Sequence, residues 1–157
     1  MRATALLLSL LPLGCGAFDC AEWTEPDPGP APAPAPRPLD ALPRIDLARD
    51  TLEGEWAVEN GGLVVRRAPA ALRLPGGSSY TLVLAADRPL FTRLTAGGRS
   101  VRVELTADRP RTLEWSPEAE PVLDGRPAPL HPGGPGVPVL WASAPGLVVR
   151  RLTLSGL

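Results

Sequence analysis

The chain of 157 residues has no lysine, no glutamine, one histidine and two cysteines. His131 lies in a Pro/Gly-rich stretch, and both cysteines, Cys15 and Cys20, fall within the first 20 residues. A His-rich metal site and a Cys–His catalytic pair both need more such residues close together than this sequence offers. We therefore expect no metal site and no cofactor.

The sequence also lacks an excess of positive charge and has few aromatic residues. Sixteen arginines stand against 17 acids, which leaves a net charge of −1 and none of the positive excess typical of nucleic-acid binding. Four tryptophans, one tyrosine and two phenylalanines must supply most of the aromatic core and any sugar-stacking surface. The sequence excludes a nucleic-acid partner more firmly than it identifies another one.

The N-terminus has the pattern of an export signal. Arg2 precedes an apolar segment, Ala3–Leu13, which is shorter than the roughly 20 residues that span a bilayer. Leu11–Gly16 resembles the bacterial lipobox, in which the cysteine becomes diacylated, although Pro12 and Leu13 depart from the usual residues. The resemblance implies a lipid at Cys15. Ordinary signal cleavage near Ala17 and a Cys15–Cys20 disulfide are the alternatives.

A proline-rich segment follows the signal. In Ala31–Pro36 alanine and proline alternate, and each proline restricts its own φ and disfavours helix in the residue before it. Such a sequence adopts an extended polyproline II conformation. We interpret it as a spacer between a surface and a domain; a ligand for a proline-binding domain is the other interpretation.

The rest of the chain consists of short apolar runs separated by Gly, Pro and Asp. Arg99–Thr106 alternates apolar and polar residues, as a half-buried strand does. Ala41–Thr51 is the nearest approach to a helix. The other predicted strands are Glu55–Glu59 with Trp56 and Val58 facing the core, Leu63–Arg67, Ala71–Leu74, Tyr80–Ala85, Phe91–Thr95, Arg111–Trp115, Val122–Leu123, Val139–Ala142 and Leu147–Leu154. Asn60–Gly62 supplies residues that accept positive φ and predicts a tight reversal from Glu59 into Leu63. The spacing of the strands favours an all-β, antiparallel β-sandwich or barrel. The organisation is therefore residues 1–14 as signal peptide, 15–44 as Ala/Pro-rich tether and 45–157 as β-sandwich domain.

The hexapeptide GLVVRR occurs twice, as Gly62–Arg67 and Gly146–Arg151. Adjacent side chains of a strand point to opposite faces, so we expect the two arginines of each copy to diverge. One arginine from each copy can still share a face, which makes Arg66 and Arg150 candidates for a ligand site. We expect the two copies to pair as antiparallel neighbours.

Three segments resemble concanavalin A-like jelly-roll domains, a group that includes laminin-G-like and 3-keto-disaccharide hydrolase-like proteins. Glu55–Val64 is similar to their opening strand pair, Leu123–Pro127 to a late hairpin, and Pro145–Leu154 to the closing strand. The resemblance implies a jelly-roll sandwich whose first and last strands pair side by side, which agrees with the pairing expected for the two GLVVRR copies.

Catalytic patterns are absent from the sequence. The E-x-D-x-x-E signature of family 16 glycoside hydrolases does not occur, and the acid pairs Glu53/Glu55 and Glu118/Glu120 fit solvated surfaces. We therefore predict no enzymatic activity. Trp56 and Trp115 occupy inward strand positions, whereas Trp141 adjoins a turn and is the candidate for an exposed sugar-stacking residue.

These observations lead to one leading hypothesis and two alternatives. The first is an exported, lipid-anchored or secreted, non-enzymatic β-sandwich of the bacterial cell envelope that binds glycan or an envelope protein. The second is a structural or accessory envelope lipoprotein without a small ligand. The third is a divergent glycan-active hydrolase.

Overall fold

The computed structural model describes Gly29 and residues 38–155, and it is built almost wholly of antiparallel β-structure. The predicted signal peptide, Cys15, Cys20 and most of the tether lie outside the described residues. A 3₁₀ turn, Leu42–Arg44, and one helical turn, α1 (Leu47–Asp50), occupy the segment predicted to be most helical. Within the described part of the chain no helix has the length and apolarity that a membrane span requires.

The strands are β1 (Leu39–Asp40), β2 (Thr51–Glu59), β3 (Gly62–Arg73), β4 (Ser79–Ala86), β5 (Leu90–Ala96), β6 (Arg99–Leu105), β7 (Arg111–Trp115), β8 (Val122–Leu123), β9 (Arg126–Pro127), β10 (Leu130–Pro132), β11 (Val139–Ala142) and β12 (Leu147–Ser155).

Two-residue turns fix the register of three hairpins. Asn60 and Gly61 have φ angles of 49° and 77°, and Asp124 and Gly125 have φ angles of 50° and 78°. Positive φ at both central residues is the requirement of a type I′ turn, which matches the twist of the flanking strands. Gly97–Gly98 joins β5 to β6 in the same way. The predicted reversal after Glu59 is confirmed.

β3 is the strand around which the sheet is organised. It pairs with β2 along one side. On its other side the first part pairs with β12 and the second part with β11. From β12 the sheet continues through β4, β7, β8 and β9, and from β11 through β5, β6 and β10. Leu63–Arg67 and Ala71–Leu74, predicted as separate strands, are thus parts of one element.

The hydrophobic core is a single cluster that both halves of the sheet share. Leu84 and Leu152 enter it from β4 and β12, and Leu94 and Leu140 enter it from β5 and β11. Each of these four leucines is completely buried. The sheet is therefore curled around its apolar face, which is compatible with a β-sandwich. The jelly-roll topology stays a prediction.

The two GLVVRR copies are antiparallel neighbours, as predicted: Val64 lies opposite Val148, and Leu63 lies opposite Val149. All four arginines of the two copies are exposed, and each pair contains a β-bulge. Arg66 is the extra residue of β3 opposite β2, and Arg150 is the extra residue of β12 opposite β4.

Two further expectations differ from the structure. Val58 was predicted to face the core with Trp56, yet Val58 is 67% exposed while Trp56 is 6% exposed. Leu63, which lies opposite Val58, is buried, but β2 has no strand on its other side among the described residues, so Val58 lies at the open edge of the sheet. Leu39 and Asp40, assigned to the tether, pair with β12, and Ala41 is completely buried.

Candidate functional site

Arg66 and Arg150 line one open groove of about 610 Å³ on the outer surface of β3 and β12. The side chains of Val64 and Val148, which lie opposite each other, form its apolar floor. Its polar lining includes Glu59, Asn60 and Asp87 in addition to the two arginines. The groove thus combines a small apolar surface with several polar groups.

The repeated hexapeptide builds this groove through a local two-fold relation. Because the copies run antiparallel with their central valines opposite each other, the glycine of each copy lies near the bulged arginine of the other. A Cβ atom on Gly62 would lie 2.9 Å from the carbonyl oxygen of Val149 and 3.7 Å from Cα of Arg150. Gly146 has a φ of 95° and donates its N–H to the carbonyl of Val65. Glycine at position 62 allows the two strands to approach this closely, whereas a Cβ on Gly146 would collide with the carboxylate of Asp87.

The charged groups of the groove differ in their partners. Arg66 donates to the carboxylate of Glu59, which lies at the end of β2. Asp87 accepts from Arg88 at 2.8 Å, and this hydrogen bond lowers the pKa of the Asp87 carboxyl. The side chain of Arg150 has no hydrogen bond or ion pair with any residue that the structure describes. The groove therefore offers one uncommitted guanidinium, that of Arg150, beside two carboxylates that already accept hydrogen bonds from other arginines.

This set of groups suits a ligand that both donates and accepts hydrogen bonds. The guanidinium of Arg150 is a donor only, the carboxylates of Glu59 and Asp87 are acceptors, and the amide of Asn60 is both. A purely anionic ligand would meet the two carboxylates. A neutral ligand with many hydroxyl groups fits the set better.

Trp141, the third predicted ligand-binding residue, lies apart from the groove. It is on β11, opposite Ala71 of β3 and Arg93 of β5, and it is 40% exposed. The structure thus brings two of the three predicted site residues together. Trp56 and Trp115 are buried, as predicted.

Sequence reasoning missed a second cavity, of about 250 Å³, that Arg93, Ser100, Arg102 and His131 help to line. Arg93 lies directly opposite Arg102 on the β5–β6 hairpin. The sequence contained a signal for this pair. A two-residue turn at Gly97–Gly98 pairs residues at equal distances before and after it, and this places Arg93 opposite Arg102.

No group of three or more His, Cys, Asp or Glu side chains among the described residues could hold a metal ion. The acid pairs Glu53/Glu55 and Glu118/Glu120 are exposed. Glu59 and Asp87 share the groove, but a glycoside hydrolase needs one acid that keeps its proton near neutral pH. The lowered pKa of Asp87 is the opposite of what that role requires.

Comparison of the chain with protein-family models, curated protein sequences and solved structures finds no match in any of the three.

Proposed function

We propose that this protein is an exported, non-enzymatic β-domain that binds a neutral glycan of the bacterial cell envelope in the groove between Arg66 and Arg150. One observation carries the proposal: unpaired Arg150, two carboxylates and Asn60 surround a Val64–Val148 floor. Ligand pockets combine apolar surface with a few convergent polar groups that fix orientation. The CH faces of a sugar ring fit the valines, and its hydroxyls fit the mixed donors and acceptors. The finer fold is the jelly-roll sandwich that the sequence resembles.

The groove is tested by titrating the full chain with neutral gluco-, manno- and galacto-oligosaccharides in a calorimeter. Arg150→Ala should weaken the binding of the preferred oligosaccharide by about tenfold, since a hydrogen bond from a charged donor contributes about 1.5 kcal/mol or more. Arg151→Ala is the matched control, because Arg151 is exposed at the same bulge and does not line the groove. Failure of all three oligosaccharide classes to bind, or equal losses in the two variants, would contradict the proposal.

We place the domain at a membrane surface through a lipid at Cys15, with the Ala/Pro-rich segment as spacer. The support is the apolar segment ending before Gly14 and Cys15, and the alternation in Ala31–Pro36. Two or three acyl chains anchor a protein stably, whereas one anchors it marginally. Mass spectrometry of the mature N-terminus tests the anchor. A diacylated Cys15 is the expected result, and an unmodified start at Ala17 or Ala21 would show that the protein is secreted instead.

A structural or accessory role without a small ligand is the second candidate. Leu52 and Val58 are large apolar residues, 46% and 67% exposed, on the same strand. That strand, β2, pairs only with β3 in the described part of the chain. An exposed apolar edge of this kind can add a strand from a protein partner. Co-purification of an envelope protein that Val58→Asp abolishes and Arg150→Ala leaves intact would favour this role.

A further inference from the structure

Arg93 and Arg102 present two positive charges side by side. They are directly opposite on the antiparallel strands β5 and β6, where like charges destabilise a sheet. The guanidinium of Arg93 has no hydrogen bond or ion pair with the described residues. A bound anion would convert this repulsion into attraction.

The neighbouring groups at this position are mostly hydrogen-bond donors. Arg102 lies over the ring of Phe91, 4.0 Å from its centroid, and one of its nitrogens is 3.4 Å from the carboxylate of Glu104. These contacts hold its side chain while leaving it on the wall of the cavity. Among the described residues no acid lines the 250 Å³ cavity, in contrast to the groove.

Trp141 extends the same surface by one strand. Trp141 lies opposite Arg93, which in turn lies opposite Arg102, so the three side chains form a row across β11, β5 and β6. Neighbouring strands are about 4.8 Å apart, which places Trp141 and Arg102 roughly 10 Å from each other. On its other side Trp141 lies opposite Ala71, which is completely buried, while Trp141 itself is 40% exposed. A sugar ring on the indole could direct a charged substituent between the two guanidiniums.

We propose that the row Trp141–Arg93–Arg102 is a second binding site, which takes a sugar that carries an oxyanion substituent. The ring stacks on Trp141, and the sulfate or carboxylate group accepts hydrogen bonds from Arg93 and Arg102. The site is separate from the groove and differs from it in ligand charge.

The experiment measures binding of the full chain to dextran, dextran sulfate and polygalacturonate. Comparison of dextran sulfate with polygalacturonate shows whether sulfate or carboxylate is the preferred oxyanion. Dextran is the uncharged backbone of dextran sulfate. We expect at least one anionic polymer to bind more than tenfold more tightly than dextran. Arg93→Gln should weaken that binding by about tenfold. Trp141→Ala should weaken it several-fold, and Trp141→Phe should retain most of it.

Arg126→Gln is the control for unspecific attraction between the protein and an anionic polymer. Arg126 is exposed on β9, so this substitution removes one positive charge away from the proposed site. Equal losses in Arg93→Gln and Arg126→Gln, or equal affinity for dextran and both anionic polymers, would overturn the proposal. The oligosaccharide titration tests the groove and the dextran sulfate titration tests this row, so either site can fail without the other.

Discussion

Two glycines with almost the same backbone conformation have different reasons to be glycine. Gly54 and Gly61 have φ angles of 75° and 77°. A Cβ on Gly61 would meet nothing within 4 Å, whereas a Cβ on Gly54 would lie 2.5 Å from the carbonyl oxygen of Arg67 and 2.6 Å from that of Pro69. At Gly61 only the positive φ favours glycine. At Gly54 the backbone of β3 also occupies the space.

Alanine substitutions at these two positions should therefore separate strain from steric exclusion. Gly61→Ala is expected to cost about 1 kcal/mol of unfolding free energy, the usual penalty of a left-handed alanine. Gly54→Ala should cost at least about 2 kcal/mol more, because the strand pairing must open to admit the methyl group. Urea denaturation of both variants measures the difference. Equal costs would mean that β2 and β3 are less tightly paired at Gly54.

Asp50 is the one buried charged residue in the described part of the chain, at 5% exposure. Its carboxylate accepts from Arg49 at 2.9 and 3.1 Å and from the backbone N–H of Asp46 at 2.9 Å. The hydrogen bonds from Arg49 are the largest cause that lowers the pKa of the Asp50 carboxyl below its ordinary value. The folded state therefore holds this proton more weakly than the unfolded state does.

The stability that Asp50 contributes should be present at pH 7 and should decline as the pH falls below about 4, the ordinary Asp pKa, towards the lower folded value. Asp50→Asn should accordingly destabilise the protein at pH 7 and differ less from the natural protein at pH 3. Thermal unfolding from pH 7 to pH 3 measures this. Asp108→Asn, at an exposed turn residue, is the control, and an Asp50→Asn deficit that stayed constant with pH would contradict the assignment.

At the scale of elements, the bulge in β12 decides which side chains face the core. Val149 and Leu152 are both buried although two arginines separate them, because Arg150 and Arg151 together oppose a single residue of β4. Two polar residues in succession break the alternation of apolar and polar residues in the sequence. The bulge absorbs the extra residue, so that Leu152 still faces the core. The same device occurs at Arg66 in β3.

Deleting one arginine from the β12 pair should remove the bulge and keep the pairing with β4. One arginine would then separate Val149 from Leu152, so that buried and exposed residues alternate along β12 without a bulge. The unfolding free energy should therefore fall by less than about 2 kcal/mol. Deleting Thr153 instead should turn Leu154 away from the core, and losing one buried leucine costs about 2–5 kcal/mol. Urea denaturation of the two deletions distinguishes them. A larger loss from the arginine deletion would show that the bulge itself stabilises the strand.

At the scale of the whole domain, its two ends are joined by β1. Leu39 and Asp40 pair with Leu154 and Thr153, and the N–H of Ala41 donates to the carbonyl of Leu152 at 2.8 Å. Ala41 is completely buried. The segment before Ile45 is thus part of the domain and covers its last strand.

Truncation at either side of this segment should show its contribution. A chain that begins at Pro38 is expected to unfold at the temperature of the full chain. A chain that begins at Ile45 should unfold several degrees lower, since a loss of about 1 kcal/mol shifts the Tm of a domain of this size by about 4 °C or more. Calorimetry of the two chains measures the shift in Tm. Equal Tm values would mean that β1 and the residues after it do not stabilise the domain.

Local patterns were sufficient to predict the all-β class and most strands. Alternation in Arg99–Thr106 marked β6, and Asn60–Gly61 marked a hairpin, because side-chain period and positive φ are properties of a few consecutive residues. The pairing of the two GLVVRR copies was also predicted from sequence. The pairing of Leu39 and Asp40 with β12 was not, because two residues after a proline-rich run carry no period.

The tertiary structure decided the composition of the candidate sites. Arg66 and Arg150 share a groove because two bulges and an antiparallel register place them there, and a bulge depends on both strands rather than on one. Glu59 and Asp87 reach the same groove from other elements. The sequence by itself determined which segments form strands, since that choice is local; the long-range pairing of the strands determined which charges meet, because it brings together residues that are far apart in the chain.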